Sequence, residues 1–332
     1  YDDAAECNRR AAALDDQWFE GDPNAGEYRL YMSHNRHFLS WAATMQGRRR
    51  EAISAARAIW SEVPAPLMEA FAMATDGVAS CKWHALVRFG LWEEILEEPA
   101  DPEWAHVNHC MRHYARGVAF ANTGRIEEAR SELLAFDDAV KGLDGLERWL
   151  GNQPAAEIMP MARLVLEGEL EFKAGNLDLG LDLLAQACAA EEKIVYAEPA
   201  PWMMPARHAY GALLVSAGRF KEAEAVYLRD LEVYPANGWA LLGLREGAQR
   251  VGGDVLRLVG DDVAAGEERE ERLSVVPGGA GDVRQPPLRG RALRRLVQRD
   301  LGIQRVQALR QHHAQLSTSE DAVPHASSWM RA

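Results

Sequence analysis

Apolar residues recur three and four positions apart along most of this chain, as in "EAISAARAIW" and "RIEEARSELLAF". That spacing gathers them into one stripe on a helix. Period-two alternation is scarce, and no Asn-Gly pair stands between alternating runs. Ala, Leu, Glu and Arg dominate, all of them good helix formers. The pattern predicts an all-α chain to about residue 250.

A short motif recurs within the helical pattern: a helix, a Gly, one residue, an often bulky apolar residue, then a second helix. It occurs as "TMQGRRREAISAA", "VRFGLWEEIL", "ANTGRIEEARSEL", "FKAGNLDLGLDLL" and "VSAGRFKEAEAVY", with a partial copy in "WALLGLREGAQRVGG". Its glycines, Gly47, Gly90, Gly124, Gly175, Gly218 and Gly252, stand 43, 34, 51, 43 and 34 residues apart. Glycine at such a turn accepts a backbone angle that costs other residues energy. Gly117, Gly168 and Gly211 precede three of these turns by seven residues, where a side chain would hold two helices apart. Ala52, Ala129 and Ala223 follow three turns by five residues, again at an expected close contact, and Pro64 and Pro235 close second helices. Pro-containing stretches, "EEPADPEW", "GNQPAAEIMP" and "YAEPAPWMMP", are expected as loops between repeats.

These positions carry a resemblance. The 34-residue step, with Gly211, Gly218, Phe220, Ala223, Tyr227 and Pro235 followed by Trp239, Leu242 and Gly243, is similar to the tetratricopeptide repeat. Residues 1 to about 252 resemble a tetratricopeptide protein. More narrowly, "YMSHNRHFLSWAATMQGRRREAISAAR", "HYARGVAFANTGRIEEA" and "YPANGWALLGLREGAQR" resemble a group of large bacterial tetratricopeptide proteins of poorly defined function. The resemblance implies an α-solenoid, a right-handed superhelix of helical hairpins. The opening "YDDAAECNRRAAALDD" looks like the second helix of a repeat, which implies further repeats upstream of Tyr1.

Composition narrows the partners. Of 332 residues 48% are hydrophobic, enough for a buried core, and the formal net charge of −13 argues against nucleic acid or an anionic membrane as partner. No run of 18 apolar residues occurs to span a bilayer. Cys7, Cys81, Cys110 and Cys188 have no paired spacing, which points to buried thiols in a reducing, cytoplasmic setting.

After Gly253 the text changes. Residues 254–332 hold 12 Arg and no Lys, and of the aromatic residues only Trp329. One reading is a basic interaction tail with a short amphipathic helix over 288–310. The favoured one is a reading-frame shift that interrupts the last repeat, leaving 254–332 of low order and 1–253 as the helical domain.

Candidate chemistry centres on histidine. His106, His109 and His113 share one helical stripe with Cys110 between them, but the outer two lie about 10.5 Å apart along the axis, too far for one ion. His109 and His113 could share a metal with His84, yet loop and packing roles are the weightier reading. Catalytic elbows, HExxH and GxxxxGK[ST] are missing, so no catalysis and no cofactor is expected. In tetratricopeptide helices the first helix of each hairpin lines the concave groove. By that register the resemblance implies His34, His37, Trp41, His84, Tyr114, Glu169 and His208 as ligand contacts. The expected partner is a protein or peptide segment, basic or neutral given the acidic chain. The expected function is a binding scaffold, and the alternative is a metal-dependent enzyme using the groove histidines.

Overall fold

The computed structural model describes residues 1–21 and 26–250. The tail of 254–332, its 288–310 helix and the 253/254 boundary lie outside them. The chain forms two compact units, Tyr1–Arg219 and a second that begins at Phe220.

The first unit is built almost wholly of helices. In order they are α1 (Asp2–Gly21), α2 (Arg29–Met45), α3 (Arg49–Glu62), α4 (Ala65–Ala70), α5 (Ala72–Ala79), α6 (Cys81–Arg88), α7 (Trp92–Glu97), α8 (His106–Asn122), α9 (Ile126–Lys141), α10 (Ala155–Lys173), α11 (Leu177–Glu191) and α12 (Ala206–Ser216). A short antiparallel pair, β1 (Trp149–Leu150) and β2 (Gln153–Pro154), stands before α10. Among the described residues no helix is long and apolar enough to cross a membrane.

The predicted turns form as the glycines require. Gly47, Gly90, Gly124, Gly175 and Gly218 all have positive φ, from 64° to 98°. The residue after each glycine closes the turn. Arg48, Leu91, Arg125, Asn176 and Arg219 donate their backbone N–H to the carbonyl five residues back at 2.8–3.1 Å, the Schellman pattern that satisfies a helix end. These turns join α2 to α3, α6 to α7, α8 to α9 and α10 to α11, and the two helices of each pair pack on one another. First helices also meet in chain order: α2 touches α6, α6 touches α8, α8 touches α10, and α10 touches α12.

The small residues sit at close approaches, with one change of partner. A side chain on Gly168 would begin 2.8 Å from Leu184 Cγ of α11, inside its own hairpin. At Gly117 the tightest neighbour is Leu166 Cδ1 at 2.6 Å, on α10 of the following hairpin. That glycine spaces neighbouring hairpins more than it spaces α8 from α9.

Two features lie outside the helical pattern. A Cβ on Gly77 of α5 would begin 2.0 Å from the carbonyl oxygen of Trp149, so the β1–β2 pair lies directly on that helix. The proline-rich segment between α11 and α12 folds back across the unit. Asn152 donates to the Tyr196 carbonyl at 2.7 Å, and the Val195 N–H donates to Gln153 Oε1 at 3.0 Å. Beyond them Trp202 and Met203 are buried, and Met203 joins an apolar cluster with Ala56, Ile59, Val63 and Met68 of the α3–α4 region.

The second unit contains α13 (Phe220–Val233) and α14 (Gly238–Arg250), packed together. Pro235 follows the end of α13, as expected. Gly243 lies so close to the Tyr227 ring that a Cβ would begin 2.2 Å from it, so the aromatic and small positions of the motif are one contact. Asn237 caps α14 through its Oδ1, which accepts from the Ala240 N–H at 2.9 Å.

Candidate functional site

A polar cluster forms where the first helices of the hairpins meet. It draws His37 from α2, His84 and Arg88 from α6, Tyr114 from α8, Glu169 and Lys173 from α10, and His208 from α12. Each helix is amphipathic, and its apolar stripe is used against its partner helix and the next hairpin. The polar positions named here occupy the face left over, so they converge although up to 120 residues of chain separate bonded partners.

Arg88 lies at the centre. Its guanidinium donates to Nδ1 of His208 at 2.8 Å, which fixes that nitrogen as an acceptor and leaves the imidazole proton on Nε2. Its positive charge also acts on His84, Tyr114 and Glu169. Helical spacing places Arg88 one turn beyond His84, on the same face of α6.

Trp202, from the folded-back segment, closes the cluster. Its indole meets the His84 ring nearly at right angles with centres 4.5 Å apart, and meets Tyr114 the same way at 5.2 Å. Edge-to-face contacts of this kind favour a fixed ring geometry.

Burial decides the charge state of the floor. His84, Tyr114, Glu169, Trp202 and His208 are all buried. Desolvation, reinforced by His37 and Arg88, pushes the His84 imidazole down to about 3. Desolvation and the neighbouring His34 hold His37 at about 3 as well. Loss of water raises the Glu169 carboxyl to about 8, against the pull of an Asn122 hydrogen bond and of Lys173 and Arg88. Tyr114 is raised well above its ordinary value by burial and by Glu169. At neutral pH the floor therefore holds neutral imidazoles, a neutral phenol and a protonated carboxyl beside a guanidinium. The rim is wetter: His37, Arg88 and Lys173 keep partial exposure.

Among the residues expected from the sequence, His37, His84, Tyr114, Glu169 and His208 come together here. His34 is exposed one turn away, its ring against Phe38 at 4.8 Å. Trp41 packs into apolar clusters with Leu39, Ala42 and Ile59 and against the Tyr1 ring. It serves the core, because its turn of α2 faces α3 and α6. Arg88 and Trp202 were not expected. The four-residue step from His84 to Arg88 is a usable signal for the first. Trp202 has none, since it reaches the site only through the path of its loop.

The histidine stripe of α8 is divided among separate partners. His113 Nδ1 bonds Glu132 at 2.7 Å, His109 Nε2 lies 3.4 Å from the Asp101 carbonyl, and His106 meets only the edge of the His109 ring at 5.9 Å within the stripe. His84 belongs to the polar cluster and does not join them. Among the described residues no group of three or more His, Cys, Asp or Glu is arranged to hold a metal ion. Cys81 and Cys110 are buried thiols, pushed up to about 12 by desolvation, and so are poor nucleophiles.

Set against models of known protein families, curated proteins and solved structures, the chain finds no match.

Proposed function

We propose that this protein is a tetratricopeptide-type α-solenoid that binds a protein or peptide segment along its first helices and performs no catalysis of its own. One observation carries the reading. His37, His84, Tyr114, Glu169 and His208 stand on five different helices, α2, α6, α8, α10 and α12, and they share one polar cluster around Arg88. The repeat register implied by the resemblance selects these five together with His34 and Trp41, and a scaffold that offers these helices to a ligand is the reading that the meeting of the five supports. The half-buried rim of His37, Arg88 and Lys173, with exposed His34 beside it, is the part a peptide could touch. Buried thiols at Cys81 and Cys110 fit a cytoplasmic setting.

The rival, a metal-dependent enzyme, would need three protein ligands around one ion. The three histidines of α8 are instead spread over separate partners.

Binding of the purified chain to an array of immobilised peptides tests the proposal. The expected result is a set of related hits whose affinity in solution falls at least about tenfold, or about 1.4 kcal/mol, in R88A. An array without hits, or hits indifferent to both R88A and K173A, would refute it.

A further inference from the structure

Lys82 of α6 stands between two carboxylates. Its Nζ lies 3.3 Å from Asp101 Oδ1 and 3.5 Å from Glu98 Oε2. The lysine side chain is 8% exposed, that of Asp101 2% and that of Glu98 12%. Glu98 caps the end of α7, and Asp101 belongs to the loop before α8. Two indoles form the wall of this site: Nζ is 4.4 Å from the centre of the Trp83 ring and 5.5 Å from that of Trp60.

Two features separate this arrangement from a plain ion pair. Asp101 Oδ2 is buried and, among the described residues, finds no hydrogen-bond partner. A carboxylate at rest as an ion uses both oxygens as acceptors. Burial also raises the Asp101 carboxyl above its ordinary value, against the pull of Lys82, Arg112 and His109. The third side chain is already aimed. Arg57 holds Oε1 of Glu98, which leaves Oε2 facing the lysine.

An amine and a carboxyl at this distance are reactants as well as partners. Groups placed in advance react at effective concentrations that reach about 10⁵–10⁸ M. Two opposite charges in a dry site carry a desolvation cost, which a neutral amide removes.

We propose that Lys82 and Asp101 join in an intramolecular isopeptide bond, with Glu98 as the proton carrier. A proton passes from Lys82 Nζ to the Asp101 carboxyl through Glu98. The freed amine attacks Asp101 Cγ, and the charge of Arg112 steadies the oxygen on which negative charge collects. Glu98 then carries a proton from the nitrogen to the leaving hydroxyl, which departs as water. One C–N bond forms, one C–O bond breaks, and neither oxidant nor activating nucleotide is consumed. A competing dehydration is closed here. Aspartate usually loses water by cyclising onto the next backbone N–H, but Pro102 follows Asp101 and has none. The new bond ties α6 to the loop before α8, apart from the polar cluster and from any peptide along the first helices.

Intact-mass measurement of the purified full chain under denaturing conditions tests this. The native protein should be lighter than its sequence by one water, and the loss should survive urea, which parts a salt bridge. Tryptic mapping should find the segment containing Lys82 linked to the one containing Asp101, with cleavage after Lys82 lost. K82R and D101A should restore the full mass. E98Q should slow appearance of the link about a hundredfold or more. Full sequence mass after long incubation of the folded chain would overturn the proposal. So would a water loss that maps to another pair, one that persists in K82R, or a link that forms in E98Q at the wild-type rate. The wild-type mass needs no variant, so a substitution that unfolds the chain does not leave the question open.

Discussion

Arg88 and His208 are joined by a 2.8 Å hydrogen bond across 120 residues of chain. The bond ties α6 to α12, and His208 is only 4% exposed. Loss of a bond to a charged group costs about 1.5–3 kcal/mol. H208A should lower the urea unfolding free energy by that amount, and H208Q, which keeps an acceptor, by less. Equal stability of H208A and wild type would show that the bond contributes nothing net.

Glu169 makes stability depend on pH in an unusual direction for a carboxylate. Its folded-state value near 8 lies above the ordinary carboxylate range near 4.5, so the folded chain holds this proton more tightly than the unfolded chain. Its contribution is fully present below about 4.5 and lost as pH rises through about 8. Relative to wild type, E169Q should gain up to about 1.4 kcal/mol per pH unit across that window. Urea midpoints of both proteins at about pH 5 and pH 8 read the difference, and parallel curves would refute it.

His84 works in the opposite sense. Its imidazole near 3 lies below the ordinary value of 6.5, so protonation favours the unfolded chain. Its stabilisation is present above about 6.5 and lost as pH falls toward 3. H84F, which keeps the contact with Trp202 but cannot titrate, should shift the acid-unfolding midpoint to lower pH. Circular dichroism during acid titration measures that shift. An unchanged midpoint would mean that His84 gains its proton without unfolding the site.

The glycines divide into two kinds with different costs. A Cβ on Gly180 would begin 2.6 Å from both the Gly168 carbonyl oxygen and the Phe172 nitrogen, backbone atoms that cannot turn aside. G180A should cost about 3 kcal/mol, the upper end for an overpacked contact, because α10 and α11 must move apart. Gly124 has φ of 77° and nothing within 4 Å of the added carbon, so only backbone strain opposes a side chain. G124A should cost about 1–2 kcal/mol, and G124N less, since Asn tolerates the left-handed region. Thermal melts of the three variants give the ranking.

The hairpins were legible in the amino-acid text because they rest on local rules. Helical periodicity, a Schellman glycine and a small residue at a crossing each depend on a few neighbouring positions, so Gly47, Gly90, Gly124, Gly175 and Gly218 announce their turns unaided. The choice of His37, His84, Tyr114, Glu169 and His208 came from the register of the resembled repeat, and the structure brings these five near one another. The same register also named Trp41 and His34, which lie outside the cluster, because a residue's position on a helix does not say which neighbour will cover it.

Folding in three dimensions decided the rest. Trp202 meets His84 only because the segment after α11 turns back over the unit, held by Gln153 and Asn152 of the β1–β2 turn. No periodicity encodes that path, since an irregular segment takes its course from the distant surfaces it buries against. The state of Glu169 is likewise a collective result. A carboxyl exposed on a lone helix is ionised at neutral pH, and only burial in the folded unit, against the pull of Asn122, Lys173 and Arg88, keeps its proton in place.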